Sequence, residues 1–326
     1  MHPEPCTMFS IIIPHWNGRH HLEDCLAALQ AQTERNFEVI LVDNGSSDGS
    51  QEYVRQNFAW VRLVELGRNT GFTGACWAGY EVARGEFVVL LNNDTAVSPT
   101  WLAEMHAAFQ RHPQAGAVVG KILLFDQRDH FHTAGDILYT NGRPANRGVW
   151  QKDEGQYDRE ERVFSGCGAA VAYRRAALNE VGFLDPRFYF SCEDVDLGWR
   201  LNLMNWATMY VPTAVVYHKL KASSGSGGSG ATASYYDGRN QLYLLWKNYP
   251  TSLWRRNWRH ILRAQWRISR EALAAWRGEA ARATLRGQLA GLVGYLEFRA
   301  TRRHIQQTRR LPDDSLMALL TPVDEA

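Results

Sequence analysis

Three apolar runs end in polar side chains, and the last of them carries the most chemistry. Phe87 to Leu91 is continuously apolar and stops at Asn92, Asn93 and Asp94, two amides and a carboxylate. Strands buried on both faces of a parallel sheet read as such runs, and ligands of open α/β sheets gather at the carboxyl ends of the strands. Asp94 thus stands where a diphosphate and its Mg²⁺ or Mn²⁺ are expected, because such cations take one or two carboxylates and complete their shell with phosphate oxygens. A plain turn is the alternative, since Asn and Asp start loops of every kind. Pro14-His15-Trp16-Asn17 and Asp43-Asn44 close two earlier apolar runs. In a parallel sheet the three ends share one edge, so their side chains converge on one cleft.

Further groups join this set. Gly67 to Ala75 (GRNTGFTGA) follows a strand and opens a helix, where glycines allow close backbone approach and a helix N-terminus favours phosphate. A Gly-rich turn is the simpler reading. Phe188 to Asp196 (FYFSCEDVD) places Glu193, Asp194 and Asp196 behind an aromatic cluster at the start of a helix. Ser191 with Asp194 resembles a capping box, which would make the acids structural; a carboxylate beside aromatics can instead acquire the raised pKa of a general base. His218 ends an apolar strand, a position suited to a neutral imidazole ligand. No G-x-G-x-x-G follows the first strand and no G-x-x-x-x-G-K-[ST] occurs, which speaks against a dinucleotide site and a P-loop.

The elements that must hold these residues alternate. Strands are expected at Ser10 to Pro14, Phe37 to Val42, Val61 to Leu66 and Phe87 to Leu91, with helices carrying Leu22, Cys25, Leu26 and Leu29, then Gln51 to Asn57 and Gly74 to Ala83 between them. Such alternation indicates βαβ units and a mainly parallel sheet. A helix over Trp101 to Arg111, a strand over Ala117 to Ile122, a polar excursion over 126–163, strand and helix from Gly166 to Val181, and a last strand Val211 to His218 complete the α/β part. Ser223 to Ser234 is Gly/Ser-rich and reads as a mobile loop, after which the chain is helical and basic.

The 326 residues suffice for a sizeable core, and the 45% apolar and 21% charged content is that of a globular protein. Five scattered cysteines without a C-x-x-C argue against a disulfide framework or zinc site and fit a reducing cytosol. The first residues lack a signal-peptide pattern, and Leu289 to Phe298 is too short and interrupted to span a bilayer, so a cytoplasmic protein is expected. The net charge of +2 conceals a split: Arg239 to Arg310 holds 16 Lys/Arg against 3 Asp/Glu, leaving about −11 on the remainder. Trp254, Trp258, Ile261, Leu262 and Trp266 share one helical face, and Arg255, Arg259, Arg263, Arg267 and Arg270 the adjoining one. That composition suits an interfacial helix on an anionic membrane, here the inner face of the cell membrane, or a helix packed on the catalytic part with a solvated Arg face. No nucleic-acid partner is expected, because no recognised binding motif accompanies the charge.

Taken in order, SIIIPHWNG, LVDNGSSDGS, GRNTGFTGA, LLNNDT, FYFSCEDVDLGWR and VVYH resemble family 2 glycosyltransferases with the GT-A fold, most of all the inverting rhamnosyltransferase-like branch, over Phe9 to about Tyr249. The resemblance implies a GT-A domain over 1–222, an active-site loop over 223–234, and a basic helical region over 235–326 serving the acceptor or the membrane. Within the domain it implies that Pro14, Asn17, Asp43, Arg68, Asn69, Gly71 and Phe72 form the nucleoside site, with Asp43 accepting from the base. Asn92-Asn93-Asp94 matches the DXD motif, with Asn92 in place of the first acid and on the donor's ribose, Asn93 beside it, and Asp94 and His218 on Mg²⁺ or Mn²⁺. Asp194, in the Glu193-Asp194 pair, matches the catalytic base, and Arg239 and Asn240 would face a diphosphate or phosphorylated acceptor. Cys76-Trp77 stand where relatives often carry a polar residue, implying an altered sugar pocket. The implied reaction moves a sugar from a nucleotide donor, dTDP-L-rhamnose favoured over UDP- or GDP-sugars, to a glycan or polyprenyl-diphosphate-linked acceptor in bacterial surface-polysaccharide assembly. A sugar-nucleotide pyrophosphorylase is a second reading, for which His15-Trp16-Asn17-Gly18-Arg19 is a poor first loop. A non-catalytic membrane-surface protein is a third, favoured by Asn92 and Trp77 and opposed by Asp43, Asp94, Asp194 and His218.

Overall fold

The computed structural model describes residues 8–220 and 229–323. The first half builds the expected alternation: β1 (Phe9–His15), α1 (Arg19–Gln30), β2 (Phe37–Asp43), α2 (Ser50–Asn57), β3 (Arg62–Glu65), α3 (Gly71–Val82) and β4 (Phe87–Leu91). β1 pairs in parallel with both β2 and β4, and β2 with β3. Next come β5 (Thr95–Val97), α4 (Trp101–Arg111) and β6 (Ala115–Leu124). The polar excursion follows, carrying β7 (Phe131–Thr133), β8 (Asp136–Leu138), β9 (Pro144–Asn146) and β10 (Glu161–Val163). β11 (Ala170–Arg174), α5 (Arg175–Val181), α6 (Glu193–Leu203) and β12 (Ala207–His218) finish the α/β part. The main sheet runs β10-β12-β6-β11-β4-β1-β2-β3.

Period-2 alternation is hidden in the sequence because both faces are covered. Phe9, Ile11 and Ile13 of β1 join a core with Leu22, Leu26 and Leu29 of α1 and Trp101 and Met105 of α4. Ile12 points the other way, toward Ala75 and Cys76 of α3 and Leu197 and Leu201 of α6. β11 is antiparallel to β4 and β6, with Ala170 opposite Leu91. Its start therefore lies at the edge where β4 ends, and delivers Gly168 there. β12 runs parallel to β6 and brings His218 level with Leu124 at the same edge.

The helical region consists of α7 (Ser229–Lys247), α8 (Thr251–Ala274), α9 (Glu279–Thr308) and α10 (Asp313–Ala318). Of the Gly/Ser segment expected as a mobile loop, residues 223–228 lie outside the described residues, and residues 229–234 form the first turns of α7. α7 and α9 approach closely because glycines line the seam: a Cβ at Gly287 would lie 2.1 Å from the Tyr235 carbonyl oxygen, and one at Gly294 2.2 Å from the Tyr243 ring. This region shares a third core with α6, in which Val195, Trp199 and Leu203 meet Leu242, Leu245, Ile261 and Phe298. Two of the aromatic-face residues turn inward: Ile261 is buried in that core, and Trp254 packs on Trp246 with ring centroids 5.4 Å apart. The Arg face is solvated, with Arg255, Arg259, Arg263, Arg267 and Arg270 all exposed.

Candidate active site

The carboxyl edge of the sheet opens into a cleft of about 390 Å³, lined by Phe72, Asn92, Gly168, Glu193, Asp194 and His218 among others. Part of its lining comes from the polar excursion, which contributes His132, Asp136 and Asn146. Asp94 adjoins this floor, buried to 1% exposure, and accepts a hydrogen bond at 3.0 Å from Nε2 of His218. A buried carboxylate and imidazole in contact, beside a cleft able to admit a diphosphate, suit a divalent cation that takes its remaining ligands from phosphate and water. No group of three or more His, Cys, Asp or Glu that could hold a metal ion occurs among the described residues, so Asp94 and His218 would supply only part of a cation's shell. The imidazole favours Mn²⁺ over Mg²⁺, which demands oxygen ligands more strictly.

Asp194 does not complete the capping box with Ser191. The backbone N–H of Gly168 donates to its Oδ2 at 2.7 Å, and that of Val195 to its Oδ1 at 2.7 Å. The Ser191 hydroxyl, expected to cap α6, donates instead to Asp237 on α7. Burial raises the Asp194 pKa, while the two N–H donors work in the opposite direction. Glu193 is buried, its Oε2 has no hydrogen-bond partner, and burial followed by the neighbouring Asp194 charge pushes its carboxyl well up. Asp136 is raised for the same two reasons. The third acid of the motif is structural: Asp196 accepts from Lys247 at 2.7 Å and from Arg200 at 2.9 Å, tying α6 to α7.

The residues expected at the nucleoside site occupy an adjoining loop cluster. Asp43 is buried; its Oδ2 accepts from the backbone N–H of Gly45 and Ser46 and from Gln51, whereas Oδ1 is buried without a partner. An orphaned carboxylate oxygen of this kind fits a ligand N–H. Pro14 is half-buried at the end of β1, and Asn17 takes a left-handed conformation (φ 50°) while its Oδ1 accepts from Ser47 N–H at 2.8 Å. Asn69 and Asn44 knit the second loop to the first: Asn69 Oδ1 accepts from Gly71 N–H and Asn44 Nδ2, and Asn44 Oδ1 from Thr70 N–H. Arg68 is exposed. Gly71 has φ 79°, and a Cβ there would lie 2.5 Å from the Tyr189 ring, so only glycine fits.

Three expected contacts are redirected. Asn93 is buried and its Nδ2 bonds His15 Nδ1 at 2.7 Å, so it braces β1 against β4 instead of facing the donor; His15, deeply buried, has its pKa lowered to about 4. Arg239 and Asn240 face no phosphate site. Asn240 Nδ2 donates to the carbonyls of Phe188, Phe190 and Ser191, and Arg239 donates to those of Arg187 and Phe188. The pair thereby holds a segment in which Tyr189, Ser191 and Cys192 all have positive φ, conformations that cost about 1–3 kcal/mol each and persist only when surroundings impose them. Trp77 lies away from the cleft, packed on Tyr80 and Phe183 with Nε1–H donating to Leu184 O, and Cys76 is in the core, so neither alters a sugar pocket.

Sequence reasoning passed over His132, Asp136, Asn146 and Gly168. The available signal was a His and an Asp within the short, largely apolar run Phe131 to Leu138, inside an excursion otherwise rich in charge.

Comparison with known proteins identifies the family and the fold. The family model for glycosyl transferase family 2 matches residues 10–182. The N-acetylglucosaminyl-diphospho-decaprenol L-rhamnosyltransferase of Mycobacterium tuberculosis is 30% identical over 265 residues, covering 74% of this chain and 85% of that protein. Among solved structures, GalNAc-T7 with UDP, GalNAc and Mn²⁺ aligns with a TM-score of 0.59 at 17% identity, covering 95% of this chain and 59% of that one. A mannosyltransferase from Pyrobaculum calidifontis with GDP-Man and Mn²⁺ aligns with a TM-score of 0.52 at 17% identity, covering 95% and 78%. The fold is that of GT-A glycosyltransferases, and with a matched family model over half its length the chain belongs to glycosyl transferase family 2, where it resembles the rhamnosyltransferases.

Proposed function

We propose that this protein is an inverting transferase that moves L-rhamnose from dTDP-L-rhamnose to a hydroxyl of a polyprenyl-diphosphate-linked glycan in bacterial surface-polysaccharide assembly. The observation that carries the reading is Asp194, a carboxylate oriented by two backbone N–H groups on the wall of the cleft that also receives His218 and adjoins Asp94. Each Asp194 oxygen keeps a lone pair beyond the one its N–H donor uses. Asp194 takes the proton of the acceptor hydroxyl as that oxygen attacks the anomeric carbon opposite the departing diphosphate, and the configuration inverts. One carboxylate suffices, unlike the pair a hydrolase needs. The raised pKa suits a general base. Asp43 Oδ1 receives the imide N–H of a thymine or uracil ring. No Lys or Arg is among the described residues lining the cleft. A Mg²⁺ or Mn²⁺ held by Asp94 and His218 would therefore supply the neutralisation of leaving-group charge.

The similarity to the mycobacterial rhamnosyltransferase supports rhamnose as the sugar and a polyprenyl-diphosphate-linked acceptor. The test is transfer from dTDP-L-rhamnose, or UDP- and GDP-sugars, to a synthetic N-acetylglucosaminyl-diphospho-polyprenol, with Mn²⁺ or EDTA. Rhamnosylated lipid and dTDP are expected. Transfer from another donor alone would overturn the rhamnose reading, and transfer from none would overturn the acceptor reading.

We also propose peripheral attachment to an anionic membrane. Trp258, Leu262 and Trp266 of α8 are 44%, 53% and 66% exposed, and Leu289, Leu292, Val293 and Leu296 of α9 are 55–70% exposed. The exposed arginines of α8 adjoin its apolar side chains, an arrangement that favours anionic headgroups. No described helix is long and apolar enough to cross a membrane. Co-sedimentation with anionic vesicles at low salt is expected, and its absence refutes the attachment.

A further inference from the structure

A hydrogen-bonded line of side chains runs from Asp94 through the wall of the cleft. His218 Nε2 lies 3.0 Å from Asp94 Oδ1, His218 Nδ1 lies 3.1 Å from His132 Nδ1, and His132 Nε2 lies 3.0 Å from Asn146 Nδ2. His218 and His132 are buried, with ring centroids 4.8 Å apart. His132 comes from β7 and Asn146 from β9, both in the excursion that sequence reading left without a role.

With both rings neutral, one placement of protons satisfies every contact. His218 carries its proton on Nε2 and donates to Asp94; His132 carries its proton on Nδ1 and donates to His218; the Asn146 amide donates to His132 Nε2. This placement turns a proton toward Asp94, so His218 Nε2 has no lone pair to offer there.

We infer that His132 and Asn146 are positioning residues that let His218 exchange tautomers and so present its Nε2 lone pair to a divalent cation beside Asp94. In the exchanged state His218 holds its proton on Nδ1 and donates it to His132 Nδ1, His132 holds its proton on Nε2, and Asn146 rotates its amide to receive that proton on Oδ1. The His132 Nδ1 proton passes to His218 Nδ1, the His218 Nε2 proton leaves to solvent in the cleft and His132 Nε2 takes one proton from solvent, so each ring gives up one N–H and gains another and the charge of the pair is unchanged. Partners on the far side of a ligating imidazole fix its tautomer and orientation in this manner. The inference rests on the proposed cation role of Asp94 and His218.

The test is Mn²⁺ binding in the presence of dTDP, followed by electron paramagnetic resonance of the free ion, with ¹⁵N-histidine NMR of the full chain before and after addition of Mg²⁺ and dTDP. His132→Phe is expected to weaken Mn²⁺ about 10- to 100-fold, the scale of such partners. His132→Gln, whose carbonyl can receive the His218 proton, restores binding to within a few-fold, which a purely packing role would not do. Asn146→Asp, an acceptor only, retains affinity, and Asn146→Leu loses it. The NMR spectra are expected to show Nε2–H on His218 and Nδ1–H on His132 without the cation, and the reverse with it. Unchanged Mn²⁺ affinity in His132→Phe, or tautomers that do not exchange, would overturn the relay alone. Failure of the unsubstituted protein to bind Mn²⁺ with dTDP would overturn the cation reading beneath it.

Discussion

Replacing Asp194 by Asn tests the catalytic reading and carries a structural cost that can be worked out in advance. Both carboxylate oxygens accept backbone N–H groups, from Gly168 and Val195, at 2.7 Å. An amide can satisfy one of them; its NH₂ must then face the other N–H, leaving a half-buried donor unpaired. That costs about 1–3 kcal/mol, and at roughly 2–4 °C per kcal/mol for large domains the melting temperature should fall by roughly 2–12 °C. The fold should survive, because the remaining contacts of α6 are untouched. Loss of a general base lowers turnover by about 10²–10⁴, while dTDP affinity, which depends on the Asp43 loops, stays near that of the unsubstituted protein. The sign with pH is also determined. Asp194 acts only when ionised and its pKa is raised, so turnover of the native protein climbs as pH rises through that value, and this limb disappears in the variant. Transfer followed by dTDP release across pH, alongside thermal denaturation and dTDP calorimetry, reads all three. Turnover within tenfold of native with the acidic limb intact would remove Asp194 from the mechanism.

Glu193→Gln should stabilise the protein at pH 8 while lowering transfer. The Glu193 pKa is raised well above its ordinary 4.5 by burial and by Asp194, so the stability tied to its protonated form is present below about pH 4.5 and is lost as pH rises through the folded value; denaturant midpoints should differ at pH 8 and converge near pH 4. Asn240→Ala removes an amide whose two N–H hydrogens serve three carbonyls of the Phe188–Ser191 segment, a loss of about 1–3 kcal/mol at about 1 kcal/mol per bond, and should lower turnover with stability because Glu193 and Asp194 follow that segment. Equal turnover in Asn240→Ala would separate the segment from catalysis. Asp43→Asn can keep Oδ toward Gly45, Ser46 and Gln51 but turns an NH₂ into the base site. It should weaken dTDP about 5- to 150-fold, from about 1–3 kcal/mol for a mismatched donor, and improve CDP, whose ring nitrogen accepts. Unchanged discrimination by calorimetry would remove Asp43 from base recognition.

Much of the framework was legible from apolar runs and their ends. Residues 9–91 alternate as expected because strand and helix periods are local properties of neighbouring side chains. Asp43, Asp94 and His218 lie where strand ends predict, since a parallel sheet brings such ends to one edge whatever the loops do. What failed was the assignment of partners. Asn93, Arg239 and Asn240 are polar residues of the right type near the right place, yet they spend their hydrogen bonds on His15 and on backbone carbonyls. Ser191 and Asp194 have capping-box spacing, but Ser191 donates to Asp237, 46 residues away, and Asp194 accepts from Gly168, 26 residues away, as well as from its neighbour Val195.

The sequence by itself determined the alternation of β1 to β4 with their helices and the edge at which the acids and His218 end, because these follow from patterns a few residues long. Only the tertiary structure decided which acid stands in the cleft and which is paired: Asp194 meets Gly168 because β11 starts antiparallel at that edge, and Asp196 meets Lys247 because α7 returns to α6. It also decided that the excursion closes the cleft with His132, Asp136 and Asn146. The physical reason is that desolvation and hydrogen-bond partnership depend on which distant segments come together, and residue type and spacing leave that choice open.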